Sequence, residues 1–356
     1  MLFQTKTSGR HPQGVCLLFW HPTCQTSRTS QTRPTRPTKK LTHPKSPNIQ
    51  FFCVFLQLEN NHYHFRIMAE TKIAGVMRAG AYSPNHIGND AAIFNVVAEQ
   101  LRKRGCEVNI YSEEQFIAGA AQERIIINMC REARSVALLQ RLEDEGALVI
   151  NSGYGIENCT RERMTRILLG SNIPYPESII VNTDQAIRER LDSTRMSPCW
   201  IKKAESHSMH KEDVSYARHT EEAQEVLQEY FLRGIKRAVI NRHLPGDLIK
   251  FYGVADSPFF YWFYPLQESH SKYGAETING MPANLPFSVE KLRAICAKCS
   301  EVLDVKIYGG DCIVSPEGDI RIIDFNDWPS FAPCRAEAAP HIARHIMNAI
   351  KRHTAK

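Results

Sequence analysis

The sequence predicts an α/β (α+β) chain in which a parallel first sheet is followed by further strands and a C-terminal hairpin, all behind a leader that has no core of its own. Three observations carry this. Strands and single helices alternate from Ile73 to Ile150; a later strand, Cys199 to Lys203, holds a lysine pair; and one C-terminal hairpin gathers several hard oxygen ligands.

The leader stands apart by charge. Residues 1–67 contain nine Lys and Arg against one acid, Glu59, a balance of +8, while the rest of the chain sums to −2. The stretch is rich in Thr, Pro, Ser and His, which cannot bury enough apolar surface to offset the entropy of ordering, so disorder is expected. Its apolar runs, 15–20 and 51–58, are too short to span a bilayer. Its prolines oppose the amphipathic helix of a transit peptide. A basic arm for nucleic acid is the rival reading. Met68 opens a polar start that runs straight into an apolar strand, so the natural protein is expected to begin there. Eight of the 11 cysteines follow the leader, irregularly spaced, as expected of reduced thiols in a cytoplasm.

The elements follow in order. Ile73 to Met77 reads as a buried strand, and a Gly-, Pro- and Asn-rich loop from Arg78 to Gly88 leads into a helix with Ile93, Phe94, Val97 and Leu101 on one face, ended by Gly105. Glu107 to Tyr111, Ile125 to Met129 and Ala147 to Ile150 are further strands, the last two separated by a helix carrying Val136, Leu139 and Leu142. Ligands of such a sheet sit at the carboxyl ends of its strands, which points to the loop at Ser83 to His86 and the turn at Asn128 to Arg131. A helix begins at Thr160 and ends at Gly170, and the strand Ser178 to Val181 follows two prolines.

Cys199 to Lys203 is a strand with a lysine pair inside it. Successive side chains face opposite sides, so one lysine lies toward the interior and calls for an anion, with phosphate a natural partner. An edge strand guarded by lysines is the plainer alternative. Thr220 to Phe231 is an amphipathic helix, and Ala238 to Ile240 and Leu248 to Val254 are strands around Leu244-Pro245-Gly246-Asp247. Cys296 and Cys299 resemble a metal or redox motif but fall on the apolar stripe Leu292, Ile295, Cys296, Cys299, Leu303 of a helix that Ser288 could cap, so two core thiols are expected.

The hairpin spans Lys306 to Phe331. Two β-branched runs flank Pro316-Glu317-Gly318-Asp319; with those four as the loop, Ser315 pairs with Ile320 and the ladder sets Asp311 opposite Asp324, with Asn326 on the face of Asp324. Facing carboxylates repel unless a hard cation such as magnesium lies between them, so Asp311, Asp324 and Asn326 are the candidate metal ligands. A surface hairpin with scattered acids is the plainer alternative.

Taken in this order, the segments resemble the ATP-grasp superfamily, which includes D-alanine–D-alanine ligase, glutathione synthetase, a ligase that adds glutamate to a ribosomal protein, and certain inositol polyphosphate kinases. The likeness rests on Val149 to Ser152, the helix through Arg163, Thr165, Leu168 and Leu169, the Ile173-Pro174-x-Pro176 turn, Ile201-Lys202, Leu244 to Asp247 with Lys250, and the acidic hairpin. It implies a disordered leader (1–67), a Rossmann-like pre-ATP-grasp domain (68–155), a central subdomain (156–240) and a C-terminal subdomain with the metal site (241–356). It implies ATP and one or two Mg2+ as cofactors. Arg163, Lys202 and Lys203 are assigned to phosphates, with His207 as a side-chain substitute for a phosphate loop that here, over Ala204 to Asp213, contains no glycine. Asn241, Arg242, His243 and Leu244 stand at the hinge that contacts the nucleoside, Lys250 at the transferred group, and Arg335 as a bidentate fork for a substrate carboxylate or phosphate. The implied activity is a carboxylate–amine or carboxylate–thiol ligase acting through an acyl-phosphate; a polyol kinase and a non-catalytic nucleotide-binding module are the alternatives. The expected partner is a small-molecule or peptide substrate, with no nucleic acid and no membrane, and with a homo-oligomer left open.

Overall fold

Buried β-branched residues build the first layer. In the computed structural model, which describes residues 71–82, 87–204, 211–266 and 275–355, β1 (Lys72–Met77) leads through α1 (Ile87–Arg102) to β2 (Glu107–Ser112). Then come α2 (Glu113–Ile117), β3 (Ile125–Asn128), α3 (Ala133–Asp144) and β4 (Leu148–Ile150). The four strands are parallel in the order β2-β1-β3-β4, so the connections leave β1 in opposite directions and open a crevice at the carboxyl ends of β1 and β3. Gly105 takes φ +90°, a conformation that favours glycine, in the turn that reverses the chain after α1.

Two short helices, α4 (Gly153–Asn158) and α5 (Arg161–Gly170), carry the chain to an antiparallel sheet. Its strands are β5 (Ser178–Asn182), β6 (Cys199–Lys203), β7 (Val214–Ala217) and β8 (Arg237–Arg242), in the order β5-β8-β6-β7. The helices α6 (Arg188–Thr194) and α7 (Thr220–Leu232) cover one face, where Leu191, Cys199, Ile201, Leu227 and Ile240 are fully buried. Strand alternation therefore turns Trp200 and Lys202 to the other face.

The third sheet, β10-β9-β11-β12, is also antiparallel and comprises β9 (Asp247–Val254), β10 (Phe260–Phe263), β11 (Ile307–Val314) and β12 (Ile320–Asp327), with α8 (Val289–Val302) between β10 and β11. Ile249, Phe251, Cys312, Ile322 and Phe325 share one core with Leu292, Cys296 and Cys299 of α8, so the Cys-x-x-Cys pair is two buried core thiols. Ser288 caps α8 by accepting from the Lys291 amide. The last helix, α9 (Arg335–Thr354), turns back: Ala339, Ile342, Ala343 and Ile346 pack with Ile93, Phe94 and Val97 of α1. The chain's end thus closes the core of the first sheet.

One of the side chains that fasten the two regions is Asn151. Asn151 is buried; its Oδ1 accepts from the amides of Lys306 and Ile307, both at 2.9 Å, and its Nδ2 donates to the Ile307 carbonyl at 2.8 Å. The start of β11, and with it the acidic hairpin, is pinned against the end of β4 by a single amide.

Candidate active site

The hairpin reaches the anticipated pairing by an unanticipated route. Asp311 does stand opposite Asp324, yet near the turn Val314 pairs with Ile320 and Cys312 with Ile322, one residue out of step with that pair. The loop is longer than four residues: the Ser315 amide donates to the Asp319 carbonyl. A β-bulge at Ile323 restores the register. Its effect is chemical. Strict alternation would put Asp324 on the same side as the buried Ile320 and Ile322, whereas the extra residue flips the phase, so that Phe325 is buried and Asp324 and Asn326 face the opposite side. The bulge also turns the Ile323 carbonyl toward Lys202, whose Nζ donates to it at 3.1 Å. That hydrogen bond joins the two antiparallel sheets across a cleft.

Cations converge on the acids in that cleft. Lys250 on β9 is the direct register partner of Asp311, and its Nζ lies 3.0 Å from Asp311 Oδ1. Arg161, the first residue of α5, reaches to 4.0 Å from Asp324 Oδ2, and Asn326 Nδ2 donates to the same oxygen at 3.1 Å. The Glu162 amide donates to the Ala204 carbonyl, which ties the start of α5 to the end of the lysine strand. Burial pushes Lys202 down to about 8, with Arg161 adding to the effect. Burial alone would raise Asp324, but Arg161 and Lys202 hold it below the usual carboxylate range. An arginine at a helix N-terminus opposes the helix dipole, so Arg161 and the α5 terminus together make a positive wall beside the acids. Two carboxylates and an amide are a hard-oxygen donor set of the kind magnesium takes when phosphates and water complete its shell. Among the described residues no group of three or more His, Cys, Asp or Glu forms an alternative metal cluster.

No family model and no curated protein matches the chain by sequence. Solved structures do match. The D-alanine–D-alanine ligase of Bacillus anthracis complexed with ATP superposes with a TM-score of 0.56 at 14 % identity, covering 80 % of this chain and 99 % of that one. The ligase of Coxiella burnetii gives 0.59 at 14 %, covering 80 % and 97 %, and the D-alanyl-alanine synthetase A of Vibrio cholerae 0.59 at 12 %, covering 81 % and 99 %. The chain has the ATP-grasp fold.

Within the ATP-grasp frame, the remaining candidates separate. Lys202, Lys250, Asp311, Asp324 and Asn326 come together in the cleft, joined by Arg161. Arg163, two residues further along α5, is half-exposed and pairs with Glu157 at 3.1 Å; the 3.6-residue helical turn sends it away from Arg161's side. Lys203 lies on the opposite face of β6 from Lys202 and is partly exposed. His207 lies outside the described residues, as do His210, the Lys211 side chain, the leader and the Ser83 to His86 loop.

The hinge residues have separate fates. Asn241 is buried, donates to Ser178 Oγ at 2.7 Å, and has a buried Oδ1 with no hydrogen-bond partner among the described residues. It shares a face with Trp200, its register partner on β6. Arg242 is engaged by Glu177 at 2.7 Å and by the Thr194 carbonyl. His243 accepts from Trp200 Nε1 at Nδ1 over 3.1 Å, which leaves its proton on Nε2, and burial lowers its pKa. The Leu244 carbonyl accepts from Asn279 at 2.8 Å.

At the carboxyl ends of β1 and β3 lies an ion network that spacing alone did not reveal. Asp327, almost wholly buried and facing away from Asp324's side, meets Arg131 at 3.2 Å and Arg78 at 3.6 Å; Arg78 also binds Asp90 at 2.9 Å. Glu113 Oε1 accepts from the amides of Arg131 and Glu132, and Oε2 from Ala79, so the residues that follow β1 and β3 are tied together by the first residue after β2. Arg335 is beside this region, donating to Asn89 Oδ1 at 3.0 Å from the start of α9.

Proposed function

We propose that this chain is an ATP- and magnesium-dependent ligase that joins a substrate carboxylate to an amine or thiol through an acyl-phosphate. The reading is carried by one observation: Arg161, Lys202 and Lys250 converge, across two antiparallel sheets of an ATP-grasp fold, on Asp311, Asp324 and Asn326. Magnesium, when bound, neutralises and aligns phosphate oxygens. The residues do the rest by position and charge. Lys202 spans the cleft and presents a desolvated ammonium to a phosphate chain, Arg161 extends the positive wall, and Lys250 reaches the transferred group. Asp311, Asp324 and Asn326 hold the cation. Such a site supplies alignment and electrostatic stabilisation and needs no covalent nucleophile of its own. Arg335, beside the first turn of α1, takes a substrate anion in this reading.

The eight cysteines among the described residues are buried and none forms a disulfide, which supports a reducing setting; no helix among those residues is long and apolar enough to cross a membrane. The deciding experiment is ADP release from Mg-ATP against pooled amino acids, peptides and inositol phosphates. A ligase releases ADP only with two co-substrates present. Release with a single polyol would make it a kinase, and binding of ATP without release under any pool would make it a nucleotide-binding module.

A further inference from the structure

The acids of the cleft already have a resident counter-ion. Lys250 and Asp311 are register partners on neighbouring strands, 3.0 Å apart, with side chains 18 % and 22 % exposed, so solvent weakens the pair little and the strand geometry holds it in place. Arg161 and Asn326 engage Asp324 in turn. Arg161, Lys202 and Lys250 thus already crowd the two carboxylates Asp311 and Asp324. A divalent cation arriving alone would have to displace the Lys250 ammonium from one of the two carboxylates it needs. A triphosphate gives the ammonium somewhere to go, because lysine is a point charge on a flexible four-carbon stem.

We infer that Lys250 imposes an order of binding: it holds Asp311 closed to metal until a polyphosphate draws its ammonium away, so that the magnesium site exists only in the nucleotide complex. This rests on the nucleotide-site reading above and adds a role for Lys250 that precedes chemistry. The same ammonium that guards Asp311 is then delivered to the phosphate, which links site assembly to substrate arrival and keeps the empty enzyme from collecting free divalent ions.

The test uses Mn2+ as the metal, followed by the loss of its free-ion electron paramagnetic resonance signal, and a non-hydrolysable ATP analogue as the polyphosphate. With the full chain, Mn2+ alone should bind weakly and the analogue should tighten it by about 100-fold or more, while the analogue itself should still bind in the presence of a chelator. Lys250→Gln and Lys250→Met should bind Mn2+ without nucleotide at least about 10-fold more tightly than wild type, a gain that a merely structural lysine would not give. Lys250→Arg should keep the site closed. The inference is overturned if wild type binds Mn2+ equally well with and without the analogue, or if both neutral variants, shown folded by melting, bind free Mn2+ no better than wild type. Failure of the analogue to bind at all sinks the nucleotide reading instead, and the inference with it, whatever Mn2+ does alone.

Discussion

Asp324→Asn separates the electrostatics of the empty site from those of the loaded one. The substitution keeps size and removes one charge from a position faced by Arg161 at 4.0 Å, with Lys202 and Lys250 also lowering its pKa. Because the folded-state pKa is depressed, the carboxylate contributes stability above the ordinary aspartate range, and that contribution is lost as pH falls through the folded value. Removing it takes away a carboxylate that Arg161, Lys202 and Lys250 all face. Relief of the Asp311 to Asp324 repulsion offsets part of this, so the nucleotide-free protein should lose about 1–3 kcal/mol. Binding then changes further. At a nucleotide concentration near 100 times its Kd, wild type gains about 2.7 kcal/mol from Mg-ATP; a variant binding 100-fold more weakly gains only about 0.4 kcal/mol. Phosphoryl transfer should fall on the order of 100- to 1000-fold, the usual loss of roughly 3–4 kcal/mol of transition-state stabilisation. Paired melting curves with and without Mg-ATP read both effects. Equal gains for wild type and Asp324→Asn, with Asp319→Asn on the exposed loop abolishing the gain, would refute the assignment of the ligands.

Three further outcomes follow from the same geometry. Arg161→Gln should weaken nucleotide binding about 10-fold or more, whereas Arg163→Gln, half-exposed beside Glu157, should change it less than 2-fold; calorimetric titration compares them, and the reverse ranking would return the phosphate role to Arg163. Nucleotide affinity should be flat below about pH 8 and decline above it as Lys202, pushed down to about 8, loses its proton; the same group makes the empty protein gain stability between about 8 and 10.5, where only the unfolded lysine stays charged, and an affinity flat to pH 10 would show that Lys202 does not touch phosphate. Asn151→Ala strands the amides of Lys306 and Ile307, while the Ile307 carbonyl keeps the Trp328 amide, so urea unfolding should show a loss of about 2–4 kcal/mol, and a change under about 1 kcal/mol would mean that the hairpin is not held by this side chain.

Much of the architecture was legible because it is written locally. Buried β-branched runs separated by single amphipathic stretches mark the parallel sheet, and the apolar stripe of α8 absorbs Cys296 and Cys299 into a core. What escaped is written in three dimensions. Asp327 follows two candidate ligands in sequence but faces the other way, into the ion network with Arg131 and Arg78, and only the strand phase reveals it. Arg161 and Arg163 are equivalent by composition; the contact between the Glu162 amide and Ala204, which sets the rotation of α5, decides between them. The return of α9 to the first sheet has no local signal beyond its apolar face, which would fit any of the cores.

The hairpin shows why such misses need not spoil a site. Counting from a four-residue loop set Asp311 against Asp324; the loop is one residue out of step, and the bulge at Ile323 cancels the difference. The cancellation has a physical reason. Without a bulge, Ile320 and Ile322 cannot both be buried while Asp324 faces the cleft, because alternation would carry all three to one side. A sequence that places two core isoleucines at even positions and a core phenylalanine at 325 therefore already demands a change of phase between them. The irregularity that satisfies the core delivers the carboxylate to the cleft and turns the Ile323 carbonyl to Lys202. Core packing and the candidate chemistry thus depend on the same extra residue, and deleting Ile323 should cost both: the hairpin should lose stability, and Lys202 and Asp324 should lose their positions together.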